Sequence, residues 1–267
     1  MSNPQALRPG SGSSSLRMLL TAAALGLLLS GCQTARSSMS DPITTASTGD
    51  ASIRQTAIAG KKWRENPGNV ELGIAYAKGL DALGQNDEQL KVLDQVAQRN
   101  PENAEFLAYY GKELATFGRG TDAERNLRNA IAQGQADWRV YSALGSALDQ
   151  QGKYPQARES YETALKLEPN QLSVLNNMGM SYMLEGNLQQ AESTFRNATR
   201  LPGADRQARL RQNLALSVGL QGRFDEAREI ASRDLPPAEV EANMAYLQSM
   251  LSQPNTWKKL QAEQPQT

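Results

Sequence analysis

The stretch "WRVYSALGSALDQQGKYPQARESYETALKLEP", Trp138 to Pro169, decides the fold, because the next stretch, "LSVLNNMGMSYMLEGNLQQAESTFRNATRLP", Leu172 to Pro202, lays onto it at a single offset. Gly145 falls on Gly179, Gly152 on Gly186, Ala157 on Ala191, Tyr161 on Phe195 and Ala164 on Ala198, all 34 residues apart. The same frame runs outward as a glycine ladder at 84, 118, 152, 186 and 222, with a last step of 36. A fixed period of this length predicts a solenoid in which each unit buries its apolar face on its neighbours.

Each unit reads as two helices. Tyr141, Leu144 and Leu148 carry helical spacing on the first. Gly111, Gly145 and Gly179 are small residues that let the second helix come close. The ladder glycine ends the first helix, where a left-handed residue is wanted. Ala123, Ala157, Ala191 and Ala227 keep the helix pair tight, and Pro101, Pro169 and Pro202 stop the second helix. The units resemble tetratricopeptide repeats. The resemblance implies an all-α, right-handed superhelical solenoid of about five units, at 70–103, 104–137, 138–171, 172–205 and 208–241. The first unit is degenerate, with Gln89 where alanine is expected, and the fifth loses its pattern after Ala227. A half-repeat helix is expected from Ile53 to Asn66, and a capping helix over 238–251 after Pro236-Pro237, with Val240, Met244, Leu247 and Leu251 on one face.

The N-terminus sets the expected address. Arg8 and Arg17 precede an apolar run, Met18 to Leu29, which is too short to cross a bilayer and has the length of a signal-peptide core. Leu29-Ser30-Gly31-Cys32 follows, and Cys32 is the chain's only cysteine. This resembles a bacterial lipobox. The resemblance implies cleavage of residues 1–31, a diacylglycerol thioether and an N-acyl chain on Cys32, and, with Gln33 next, delivery to the periplasmic face of the outer membrane. Cleavage would leave 26 basic against 28 acidic residues, net −2. Residues 32–50, rich in Ser and Thr, read as a flexible tether of about 25 Å. The tail 253–267 reads as disordered, with Trp257 and Leu260 its main apolar side chains.

Composition narrows the chemistry. Lys and Arg balance Asp and Glu at 28 each, so no basic field for nucleic acid is expected. There is no histidine, which removes the usual general base and metal ligand. No catalytic triad or phosphate loop is present, and the carboxylates Glu113, Asp225 and Glu226 read as solvated. The expectation is no enzyme, no metal, no cofactor beyond the covalent lipid, and no small-molecule substrate.

A solenoid offers instead a groove lined by the first helices of its units. In this frame its candidates are Tyr109, Lys112, Arg139, Asn176, Asn177, Met180, Gln212, Asn213 and Leu216, with Lys78, Asp81, Ser142, Ser146 and Met183 beside them. Asn177 and Asn213 occupy one frame position in consecutive units, where a side-chain amide both donates to and accepts from a peptide. With Met180, Met183 and Leu216 they form an expected track for a partner segment.

The whole layout, and above all "DLPPAEVEANMAYL" (Asp234 to Leu247), resembles the TadD-type repeat lipoproteins of the tight-adherence pilus system. That resemblance implies a pilotin-like role in assembling a Flp-type (type IVb) pilus, with the outer-membrane secretin as partner. A type IVa pilotin and an envelope adaptor for cell-wall enzymes or proteases remain alternatives.

Overall fold

A computed structural model describes the backbone over residues 42–252 and the side chains over 51–252. Cys32, the signal segment and the tail around Trp257 lie outside the described residues. Among those described there are twelve α-helices, one 3-10 turn and no strand. A long α1, Pro42–Glu65, comes first. Five antiparallel pairs follow: α2 Val70–Ala82 with α3 Asn86–Arg99, α4 Ala104–Thr116 with α5 Gly120–Ala132, α6 Trp138–Asp149 with α7 Tyr154–Leu167, α8 Leu172–Glu185 with α9 Leu188–Thr199, and α10 Ala208–Leu220 with α11 Phe224–Ala231. The last helix is α12, Pro237–Ser252. The fold is an all-α repeat solenoid.

The turn inside each pair follows from one backbone requirement. Gly84, Gly118, Gly152, Gly186 and Gly222 all have positive φ, from +69° to +94°. A β-carbon is unfavourable there, so glycine ends the first helix and reverses the chain. Starts are also periodic. Asn69 caps α2, Asn103 caps α4 and Asp137 caps α6, each accepting from a backbone N–H within the first turn. These caps stand 34 residues apart and contribute about 1 kcal/mol each.

The close approach within each pair is equally specific. A β-carbon on Gly145 would lie 2.5 Å from a Tyr161 ring carbon, and one on Gly179 would lie 2.4 Å from Phe195. Gly111 faces Leu127 in the same way, at 2.6 Å. Tyr161, Phe195 and Leu127 are at most 1% exposed, and Ala123, Ala157, Ala191 and Ala227 are fully buried. The pairs then stack: α4 lies against α6, α6 against α8 and α8 against α10.

Three expectations about extent need correction. The tether does not run to residue 50, because residues 42–50 are already the first turns of α1. The fifth unit does not run to 241. Its second helix, α11, is eight residues long and ends at Ala231, and residues 237–241 open α12. The cause is Asp234, which takes the place of the alanine that packs in other units. Arg211 of α10 binds its carboxylate, with Nε to Oδ2 at 2.8 Å, and also donates to the carbonyls of Ala204 and Asp205. That buried ion pair ends the repeat, and Pro236 and Pro237 redirect the chain into α12. Third, the capping helix extends from 238–251 to Pro237–Ser252; Val240, Met244 and Leu247 are buried against α10 and α11, and Leu251 is half-buried.

Candidate functional site

The predicted groove residues all lie on the first helices of the pairs, α2, α4, α6, α8 and α10. The N-terminal part of the predicted groove, on α2 and α4, is charged and carries Lys78, Asp81, Tyr109, Lys112 and Glu113. Burial first, then the charges of Glu113 and Asp81, push the Tyr109 hydroxyl up to about 12. Glu113 is not a solvated carboxylate. It is half-buried and accepts from Gln89 Nε2 at 3.0 Å, and burial with the Asp81 charge raises its pKa. Gln89, 1% exposed, departs from the repeat pattern to make this link between units. Asp225 and Glu226, by contrast, stay at the surface and pair with Arg228 and with Arg196 and Arg223.

The residues predicted for the C-terminal part of the groove are uncharged. Asn176, Asn177, Met180 and Met183 on α8, and Gln212, Leu216 and Leu220 on α10, are all half-buried. Met180, Met183, Leu216 and Leu220 pack onto the same apolar cluster. The expected equivalence of Asn177 and Asn213 fails here. Asn213 is 1% exposed, and its Nδ2 donates to Asn176 Oδ1 at 2.7 Å, tying α10 to α8. It faces the neighbouring helix rather than the groove, so it offers nothing to a partner. The amides of Asn177 and Gln212 make no hydrogen bond with the described residues and stand free beside the methionines. At the start of α6, Arg139 is exposed, with its guanidinium 4.6 Å from the Trp138 ring centre.

Sequence reasoning missed the polar links between units. Gln151 donates to Glu124 Oε2 at 2.8 Å and to the Gly120 carbonyl, while Lys153 reaches Glu124 at 2.7 Å. Two units on, Gln221 donates to Glu192 at 2.8 Å and Arg223 to Glu192 at 2.5 Å. Burial alone would raise both carboxyls. Hydrogen bonds from Lys153, Gln151 and Arg128 to Glu124, and from Arg223, Arg196 and Gln221 to Glu192, outweigh it and hold each at about 2. Between these joints the polarity reverses: Arg158 pairs with Glu185 at 2.9 Å and lies over the Tyr182 ring. The periodic signal was there, since Gln151, Glu185 and Gln221 share one frame position and Glu124, Arg158 and Glu192 another.

The joint between α6–α7 and α8–α9 carries one more group. Asp149, at the end of α6, accepts from Tyr161 Oη at 2.8 Å and from Ser181 Oγ at 2.6 Å. Ser181 is fully buried and belongs to the next unit. Burial drives the Asp149 carboxyl up to about 6 despite these two donors and Arg158. The buried apolar residues divide near this place, one cluster running from Trp63 to Val174 and another from Ala191 to Leu247. Among the described residues no group of three or more Cys, Asp or Glu side chains has metal-binding geometry.

Comparison with known proteins agrees with this architecture. Residues 145–186 match a TPR repeat family and residues 172–205 a tetratricopeptide repeat family. No curated protein matches the sequence. Among solved structures, TTC0263, a thermophilic TPR protein of Thermus thermophilus, is similar with a TM-score of 0.54 at 21% identity, over 68% of this chain and 100% of that one. YrrB, a TPR protein with an unusual peptide-binding site, gives 0.50 at 17%, over 72% and 96%. The Cut9–Hcn1 hetero-tetramer of APC/C gives 0.57 at 17%, over 79% of this chain and 42% of that chain. At these identities the likeness concerns the fold. A helix-pair array of this kind is a scaffold for protein–protein contacts, and with its 34-residue units, ladder glycines and matched repeats this chain is a tetratricopeptide-repeat solenoid.

Proposed function

We propose that this protein is a non-enzymatic, lipid-anchored scaffold at the periplasmic face of the outer membrane that assists assembly of a Flp-type pilus and its secretion apparatus. The observation that carries the reading is the layout of the sequence: Leu29-Ser30-Gly31-Cys32, then repeats, then the phrase Asp234 to Leu247, which generic repeat pattern does not supply. The fold supports a mechanism of capture. Acyl chains on Cys32 hold the chain at the membrane, and the C-terminal part of the groove takes a segment of a secretin subunit. Asn177 and Gln212 hydrogen-bond the backbone of that segment, while Met180, Met183 and Leu216 adapt to its apolar side chains. Restricting partner and scaffold to one surface raises their effective concentration and so favours assembly without any chemical step.

The test is a pull-down of the lipidated chain from bacterial envelopes with mass spectrometry of what it retains. Enrichment of a secretin, lost on Asn177→Ala with Gln212→Ala, supports the reading. Enrichment of cell-wall enzymes or proteases without the secretin replaces pilus assembly with an envelope-adaptor role.

A further inference from the structure

The helix α1 buries a single face. Thr56, Gly60 and Trp63 lie against α2, where they meet Gly79, Tyr76 and Gly73 in antiparallel register. That register brings residues 53–54 level with the end of α2 at Ala82. The 24 residues of α1 span about 36 Å against about 20 Å for the 13 of α2, so its first turns run past the end of α2. On the side away from α2, Arg54, Ile58, Lys61 and Lys62 are exposed, Ile58 by 53%, with Glu65 the one described acidic residue on the stripe, and Ile53 flanks them at 56%.

Charge separates α1 from the rest. It holds Arg54, Lys61, Lys62 and Arg64 against Asp50 and Glu65, net +2, whereas residues 66–252 hold 19 basic against 24 acidic, net −5. Among the described residues none of those four cations has an ion-pair partner, although the other repeats spend many of theirs in such pairs. Basic side chains around exposed isoleucine on one stripe of a helix complement an anionic, partly apolar surface. Position selects which surface. Pro42 lies ten positions after Cys32, a reach of at most about 35 Å. None of the described helices is long and apolar enough to cross a membrane, so any contact is interfacial.

We infer that the stripe Arg54, Ile58, Lys61 and Lys62 is a second membrane contact, which seats α1 on anionic phospholipid headgroups. This rests on the lipid-anchor reading for its setting, but the contact itself does not require the acyl chains. Ile58 enters the headgroup boundary, and the cations meet the lipid phosphates. It orients the scaffold on the membrane and leaves α2 to α12 facing the periplasm. Each cation near an anionic bilayer contributes about five-fold in partitioning, so losing three lowers it on the order of 100-fold, and reversing them lowers it further.

The test uses the full chain with Cys32→Ser and a single cysteine from Ile58→Cys, labelled with nitrobenzoxadiazole. Vesicles of phosphatidylcholine with about a third phosphatidylglycerol should blue-shift and brighten this dye, and pure phosphatidylcholine should not. The response should vanish in about 0.5 M salt and on Arg54→Glu with Lys61→Glu and Lys62→Glu. The same dye on Tyr246→Cys of α12, 43% exposed in the native chain, should stay unchanged. The inference is overturned by binding that leaves the α1 dye silent, since the apolar leader then carries the binding. It is overturned equally by a response indifferent to lipid charge, or by one that grows with protein concentration without vesicles, which would make the stripe a contact between copies. Labelled-palmitate incorporation at Cys32 in cells decides the anchor separately, so either idea can fail alone.

Discussion

Replacing Asp149 with asparagine should flatten one part of the stability–pH curve. The carboxyl has a folded pKa of about 6 against an ordinary 3.8. A raised folded value means that the charged form is disfavoured in the fold. Stability is therefore lowest above pH 6, rises as pH falls through the folded value, and levels off below 3.8. The full difference of about two units corresponds to roughly 3 kcal/mol. Between about pH 7 and pH 5 about 1 kcal/mol of it is recovered, or about 2–4 °C in Tm for an array of this size. The substituted amide would keep an acceptor for Ser181 or Tyr161 and carry no charge. The variant should thus melt at or above wild type near pH 7.5, with the gap closing toward about pH 5. Thermal melts by circular dichroism across that pH range check this. Taking the difference between the two proteins cancels Glu124 and Glu192, whose lowered pKa values act in the opposite sense, losing stability as pH falls below the ordinary 4.5. Parallel curves for the two proteins, or a large loss in the variant above neutral pH, would refute the reasoning and make the ionised carboxylate a net stabiliser of the joint.

Other perturbations probe separate links. Gly145→Ala puts a β-carbon 2.5 Å from the Tyr161 ring and should cost about 1–3 kcal/mol, read as a lower Tm; an unchanged Tm would mean the helix pair is looser than described. Asn213→Ala should destabilise by about 1 kcal/mol by stranding Asn176, while leaving partner capture per folded molecule intact. Asn177→Ala with Gln212→Ala should do the reverse, weakening capture with no change in Tm, and equal behaviour of the two variants would dissolve the distinction between joint and groove. Cys32→Ser should abolish palmitate labelling and leave a precursor in detergent fractionation; persistent labelling would remove the anchor.

Much of the architecture is written along the chain because its causes are local. A positive φ at Gly152, a close approach at Gly145 and a helix stop at Pro169 each need one residue type at one place, and repetition every 34 residues makes the pattern visible. The groove is less legible. Its surface is composed of side chains from different units, and frame position alone does not say which of them face out. Asn177 and Asn213 share a frame position, yet only contact between α8 and α10 decides that the second turns inward to Asn176. Glu113 is of an ordinary surface type until Gln89 from the preceding unit covers it.

The sequence by itself determined the period, the helix pairs, the all-α class and the place of the cap, because these follow from backbone conformation and residue size within one unit. Only the tertiary structure decided the polar joints, the burial of Asn213 and Asp149, the shortened fifth unit closed by Arg211 and Asp234, and the unpaired basic stripe of α1. Those depend on which side chains meet across 23 to 37 residues of chain, where desolvation and partner geometry, not local propensity, set the outcome.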